Sequence, residues 1–171
     1  MENIIPHPEI ENNQLKHGST YLENGKPKIK YFDKEPSDED FPYSNRLERI
    51  DFTVCGNPTI GIVAGIHGDE KVPSTLPELY KKIGNNYLLI ENANLPAEEL
   101  GKRGYIRPAT EKDKPQEFLD INKIKYTGVE IDLNRQFPQL PDTQSIFKAT
   151  EDYPIATLLF HLALKYPKIK Y

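Results

Sequence analysis

The run TIGIVAGI, residues 59–66, is almost wholly apolar and stops at once on a histidine and two acids, HGDE. Such a run reads as a strand covered on both faces, the kind found inside α/β sheets. Its end is also informative. Open α/β sheets bind ligands beyond the carboxyl ends of their strands, and His67 and Glu70 stand at that place. A strand that ends this way is economical if both side chains hold one cation.

The flanking segments extend the pattern. RIDFTV (49–54) alternates Ile50, Phe52 and Val54 with polar neighbours, the period of a half-buried strand. PKIKYFD (27–33) and the YLLI of NNYLLIENAN read as further strands, and VEIDLNRQFPQLPD as a short strand running into a Pro-rich turn. Between strands, VPSTLPELYKKIG places its prolines near a helix start and Gly84 at its stop. LPAEELGKRG reads as a short helix or turn. From 153 to 166, Ile155, Leu158, Leu159 and Leu162 form one stripe at helical spacing, with Thr150 as N-cap and Glu151 and Asp152 suiting the positive end. The terminal PKIKY reads like the opening of a strand.

Strands alternating with helices predict an α/β fold with a mixed, largely parallel sheet flanked by helices. Residues 1–28, rich in Asn, Glu and Pro with sparse apolar residues, read as an extended polar arm, and 29–171 as the folded domain. The charged stretch 108–128 contains two prolines and reads as a long exposed loop.

Composition removes several function classes. The 171 residues suit one domain with a sizeable core, and a net charge of -4 offers no basic excess for a nucleic acid. No apolar run approaches the roughly 20 residues that span a bilayer, and MENIIPHPEIENNQ lacks the basic and apolar parts of a secretory signal. One cysteine, Cys55, excludes an internal disulfide framework or a multi-cysteine zinc site, so the default expectation is a cytoplasmic location.

Imidazole nitrogen and carboxylate oxygen are both good zinc ligands, and Gly68 between them lets the backbone turn sharply. Taken alone, His-x-x-Glu is short and common, and a surface His and Glu in a loop would produce it equally. A second cluster, IDLNRQFP (131–138), places Asn134 beside Arg135 at another strand end. Arginine presents a planar fork that pairs two carboxylate oxygens, and Asn adds a donor and an acceptor beside it. An ion pair plus a cap is the plain alternative.

Together, GIHGDE followed by DLNRQFP resembles the zinc carboxypeptidase superfamily, including its succinylglutamate desuccinylase and aspartoacylase branch. The segment NANLPAEELGKRGY resembles the part of that family in which an arginine precedes DLNR. Here Leu95 separates Asn94 from Pro96, and the 108–128 insertion follows. The resemblance spans about residues 49–171 and implies a zinc-carboxypeptidase-like α/β fold. It implies His67 and Glu70 as zinc ligands, and Asn134 and Arg135 as holders of a substrate carboxylate. Arg103 would polarise the scissile carbonyl, with Arg107 competing for that role, while Asp132 orients its neighbours or stays structural.

The implied chemistry is zinc-dependent hydrolysis of an amide bond next to a free carboxylate, in a small substrate or at a peptide C-terminus. The resemblance also implies a third zinc ligand, a histidine ending a strand after the last helix, and a glutamate base further on. No residue up to Tyr171 matches either, so the expectation is the N-terminal portion of such a domain, incomplete at its C-terminus and nearly inactive alone. Of the other histidines, His161 lies off the apolar stripe, and His7 and His17 sit in the arm as the remaining candidates to complete the site. Two rival readings use the same residues: a non-catalytic carboxylate-binding module and a degenerate fragment.

Overall fold

The first strand forms where composition predicts an arm, and the second where PKIKYFD predicts a strand. In the computed structural model, which describes residues 14–41, 48–70, 84–109, 111–119, 125–132 and 154–169, β1 (Leu15–Glu23) and β2 (Lys26–Phe32) pair as an antiparallel hairpin. Asn24 and Gly25 join them, both at positive φ (53° and 71°). Two successive positive values suit a primed turn, whose twist matches the flanking strands and which favours Asn-Gly. Residues 15–28 are therefore part of the sheet, and only residues 1–13 of the predicted arm lie outside the described residues. β1 holds its place with few apolar side chains because it is bonded on both sides, to β2 and to β3 (Arg49–Cys55). Gly18 leaves room for the Phe52 ring, and Ser19 and Thr20 are fully buried.

β4 (Ile60–Val63) and β5 (Tyr87–Ile90) complete a five-stranded sheet in the order β2-β1-β3-β5-β4. Only β4 and β5 run parallel among the described strands, so the sheet is mostly antiparallel rather than largely parallel. The fold is mixed α/β. A parallel neighbour requires a crossover, whereas the hairpin and the short CGNP connection reverse direction without one. β4 also departs from its predicted cover on both faces. It is outermost among the described strands, with Ile60 and Val63 about two-fifths exposed (42% and 41%).

The short helix α1 (Leu95–Glu99) precedes a second sheet, β6 (Tyr105–Pro108), β7 (Gln116–Leu119) and β8 (Lys125–Ile131), antiparallel in the order β6-β8-β7. The predicted 108–128 loop thus contains all of β7 and the first half of β8, short strands of a small sheet. The predicted helix at 71–83 and the cap at Thr150 lie outside the described residues.

Helix α2 (Pro154–Lys165) lies across β1, β2 and β3. Its stripe is as expected: Ile155, Leu158 and Leu162 are buried against Ile50, Phe52, Val54, Leu88 and Ile90, and Leu159 packs on this cluster. Each such side chain contributes roughly 1.5–3 kcal/mol by leaving water. No described helix is long and apolar enough to cross a membrane.

The Tyr31 and Tyr166 hydroxyls meet at 2.7 Å where α2 ends on the sheet. Burial pushes both groups above the ordinary tyrosine range, and the shared hydrogen bond adds to the shift at Tyr166. An acid whose folded-state pKa is raised stabilises the fold below its unfolded pKa and loses that contribution as pH rises through the folded one. Stability in urea is therefore expected to hold up to about pH 10 and fall above it. Tyr31→Phe combined with Tyr166→Phe should flatten that alkaline fall, and an unchanged profile would discount the pair.

Candidate functional site

After β4 the chain turns at Gly65, whose φ of +64 is open to glycine and whose Cα hydrogen faces Asn92 at close range. Backbone bonds Ala64 N–H to Ile90 O (2.9 Å) and Ala93 N–H to Ala64 O (2.9 Å) tie the ends of β4 and β5 together. Fully buried Asn94 donates its Nδ2–H to Ile66 O at 3.1 Å, one residue before His67. Gly68 lies directly on the backbone of α1 at Ala97 and Glu98, and its N–H reaches Arg103 O at 3.3 Å. His67 is thus fixed by the backbone on both sides.

Its side chain is only 5% exposed, and each ring nitrogen faces a carboxylate. Nδ1 lies 2.7 Å from Glu70 Oε1, and Nε2 lies 3.3 Å from Asp132 Oδ1 at the end of β8. Arg103 Nη1 is 3.7 Å from both Glu70 Oε1 and Asp69 Oδ1, with its guanidinium half exposed. Residues from three separate segments therefore converge at one point: His67 and Glu70, Arg103, and Asp132. Arg107 lies in β6 in register with Val129. Asn134 and Arg135 lie outside the described residues.

The donor set suits a cation in part. Three carboxylates surround one imidazole and one guanidinium, leaving negative charge in excess. Tetrahedral zinc with bonds of about 2.0–2.2 Å spans roughly 3.4 Å between its nitrogen and oxygen donors. Half-exposed Glu70 reaches that separation from Nδ1 by backing away less than about 1 Å toward solvent. Asp132 cannot join the same coordination sphere, because it faces the opposite ring nitrogen. Each carboxylate can accept only from a protonated ring nitrogen; with a cation on Nδ1, Asp132 would accept the Nε2–H, the arrangement that orients metal-binding histidines. Accordingly, no group of three His, Cys, Asp or Glu among the described residues is placed to hold one ion. His67 and Glu70 are the two side chains here that could face one ion together.

The other described histidines do not complete it. His17 lies in β1 and lines a separate cavity of about 320 Å³ with Arg49, Asp51 and Glu91, to which none of the four converging residues contributes. His161 is half-buried on α2, where desolvation holds its pKa below the ordinary histidine value. Asn94 and Glu130 are the supporting residues that motif reading passed over. For Glu130 a signal existed: Glu130 and Asp132 are two apart, and side chains two apart share a side of an extended chain.

Compared with family models, with curated proteins and with solved structures, the chain finds no match in any of the three.

Proposed function

We propose that this chain carries part of a zinc-hydrolase centre of the zinc-carboxypeptidase kind, directed at an amide bond beside a free carboxylate. The observation that supports the reading best is the placement of the His67 imidazole between Glu70 and Asp132, with Arg103 3.7 Å from Glu70. His67 Nδ1 and Glu70 would hold the metal. Zinc bound there supplies Lewis-acid activation of water. Arg103, half exposed and anchored through its own carbonyl, offers a guanidinium to charge developing on the scissile carbonyl oxygen. Asn134 and Arg135 take the substrate carboxylate in this reading, on the strength of the DLNR motif alone. With a single cysteine the chain has no disulfide framework to maintain, and a cytoplasmic location is the default we propose.

Two protein ligands leave the metal short of the three that catalytic zinc sites use, so residues 1–171 by themselves are expected to hydrolyse little or nothing. Calorimetric titration of the purified chain with zinc tests the reading. The expected result is about one zinc per chain, with micromolar or weaker affinity as befits two ligands. Failure to take up zinc at millimolar concentration would count against a metal centre. A zinc-free chain that still binds small carboxylates, and loses them on Arg135→Ala, would favour a carboxylate-binding module instead.

A further inference from the structure

We propose that Glu130 is a positioning residue for Arg103. Its carboxylate Oε1 accepts the backbone N–H of Gly104 at 2.8 Å, the residue directly after Arg103. The contact is close along its length: a Cβ on Gly104 would lie 2.5 Å from Ile131 O and 2.9 Å from Glu130 Cγ. The arginine loop therefore rests on β8, and its other side is tied by Arg103 O to Gly68 N–H (3.3 Å) and by Lys102 N–H to Ala97 O (2.8 Å). The Lys102 ammonium adds a contact over the Phe118 ring at 5.5 Å.

Two residues further along the same chain, Asp132 holds the Nε2 of His67. One strand end thus fixes both halves of the centre. Asp132 sets the imidazole and Glu130 sets the backbone from which the guanidinium projects. Without Glu130 the Arg103 side chain would still reach Asp69 and Glu70, but half-exposed pairs at 3.7 Å restrain a long side chain weakly. A carboxylate bonded to a backbone amide restrains it more strongly, because charge-assisted bonds are about twice as strong as neutral ones.

The inference rests on the role given to Arg103 above, and its test uses the metal-free full chain so that zinc uptake plays no part. In ¹⁵N-labelled protein, Glu130→Ala should accelerate amide exchange at Gly104 about 10–100-fold, as expected for loss of a hydrogen bond to a charged group. The same change should lower the ¹⁵N order of the Arg103 Nε–H while the His67 ring signals stay in place. Glu130→Gln keeps an acceptor oxygen at the same reach and should restore both values to within about 3-fold. Glu130→Asp keeps the charge but shortens the reach, and should behave like alanine. Faster exchange at Gly104 with unchanged order at Arg103 would overturn the proposal. So would full rescue by Glu130→Asp, or equal loss of fold in all three variants. A chain that takes up no zinc would refute the zinc-hydrolase reading and leave these exchange rates as they are.

Discussion

A chain carrying Gly68→Ala is expected to lose about 3 kcal/mol of stability together with all measurable zinc uptake. An added Cβ at this position would overlap the backbone of Ala97 and Glu98. Neither neighbour can yield cheaply. Ala97 donates its N–H to Asn94 O at 3.0 Å and accepts from Lys102 N–H at 2.8 Å, so pushing α1 away breaks its own turn. Moving the HGDE turn instead carries His67 off Asp132 and breaks the bond from Gly68 N–H to Arg103 O. Either movement separates the two halves of the centre. Gly18→Ala makes a useful contrast, because the atoms it meets belong to the Phe52 side chain rather than to backbone. Gly25→Ala is a second contrast, with nothing within 4 Å and only a φ of +71° to oppose it. Urea denaturation gives the stability change and calorimetry the zinc affinity. A Gly68→Ala chain with the parent midpoint would show that α1 and the turn are not packed as described.

What could be read from the sequence follows from what each signal depends on. The alternation of Ile50, Phe52 and Val54 and the stripe Ile155, Leu158, Leu162 are local consequences of burying one face, and both elements stand where the pattern puts them. His67 and Glu70 stood out in one motif and Arg103 in the NANLPAEELGKRGY segment, with Arg107 as its rival, and the structure brings His67, Glu70 and Arg103 together. Strand direction was harder. An apolar run does not say whether its neighbours run with it or against it, and TIGIVAGI reads as covered on both faces although β4 is outermost among the described strands. The direction signal lay elsewhere, in Asn24-Gly25, where a hairpin turn joins the recognisable strand PKIKYFD to a preceding segment with few large apolar residues.

Polarity also concealed β1, β6, β7 and the first half of β8. In β1 the buried positions are filled by Gly18, Ser19, Thr20 and Leu22, small or hydroxyl side chains that a count of large apolar residues misses. Ser19 is satisfied by its bond to Asp51 Oδ1 at 2.5 Å, so its burial costs little. In β7 only Phe118 is buried, and its neighbours Glu117 and Leu119 face outward. Such strands are set by pairing with a partner far along the chain, which no local window contains.

The zinc affinity of His67 and Asp132 variants should separate a metal ligand from the residue that aims it. His67→Ala is expected to abolish zinc uptake, because Glu70 alone leaves one half-exposed carboxylate. Asp132→Ala should instead weaken it about 10–100-fold, the usual effect of removing the partner that orients a ligating histidine. The weakening has two physical sources. With zinc on Nδ1, Asp132 would accept the Nε2–H and so favour the ligating tautomer, and it restrains the rotation of a ring that is 5% exposed. Asp132→Asn keeps an oxygen acceptor without its charge and should fall between the parent and Asp132→Ala. Calorimetry at one pH and ionic strength measures all three, with far-ultraviolet circular dichroism confirming that each chain folds. Equal zinc affinity in the parent and in Asp132→Ala would mean that the ring needs no aiming. Retained affinity in His67→Ala would place the metal elsewhere.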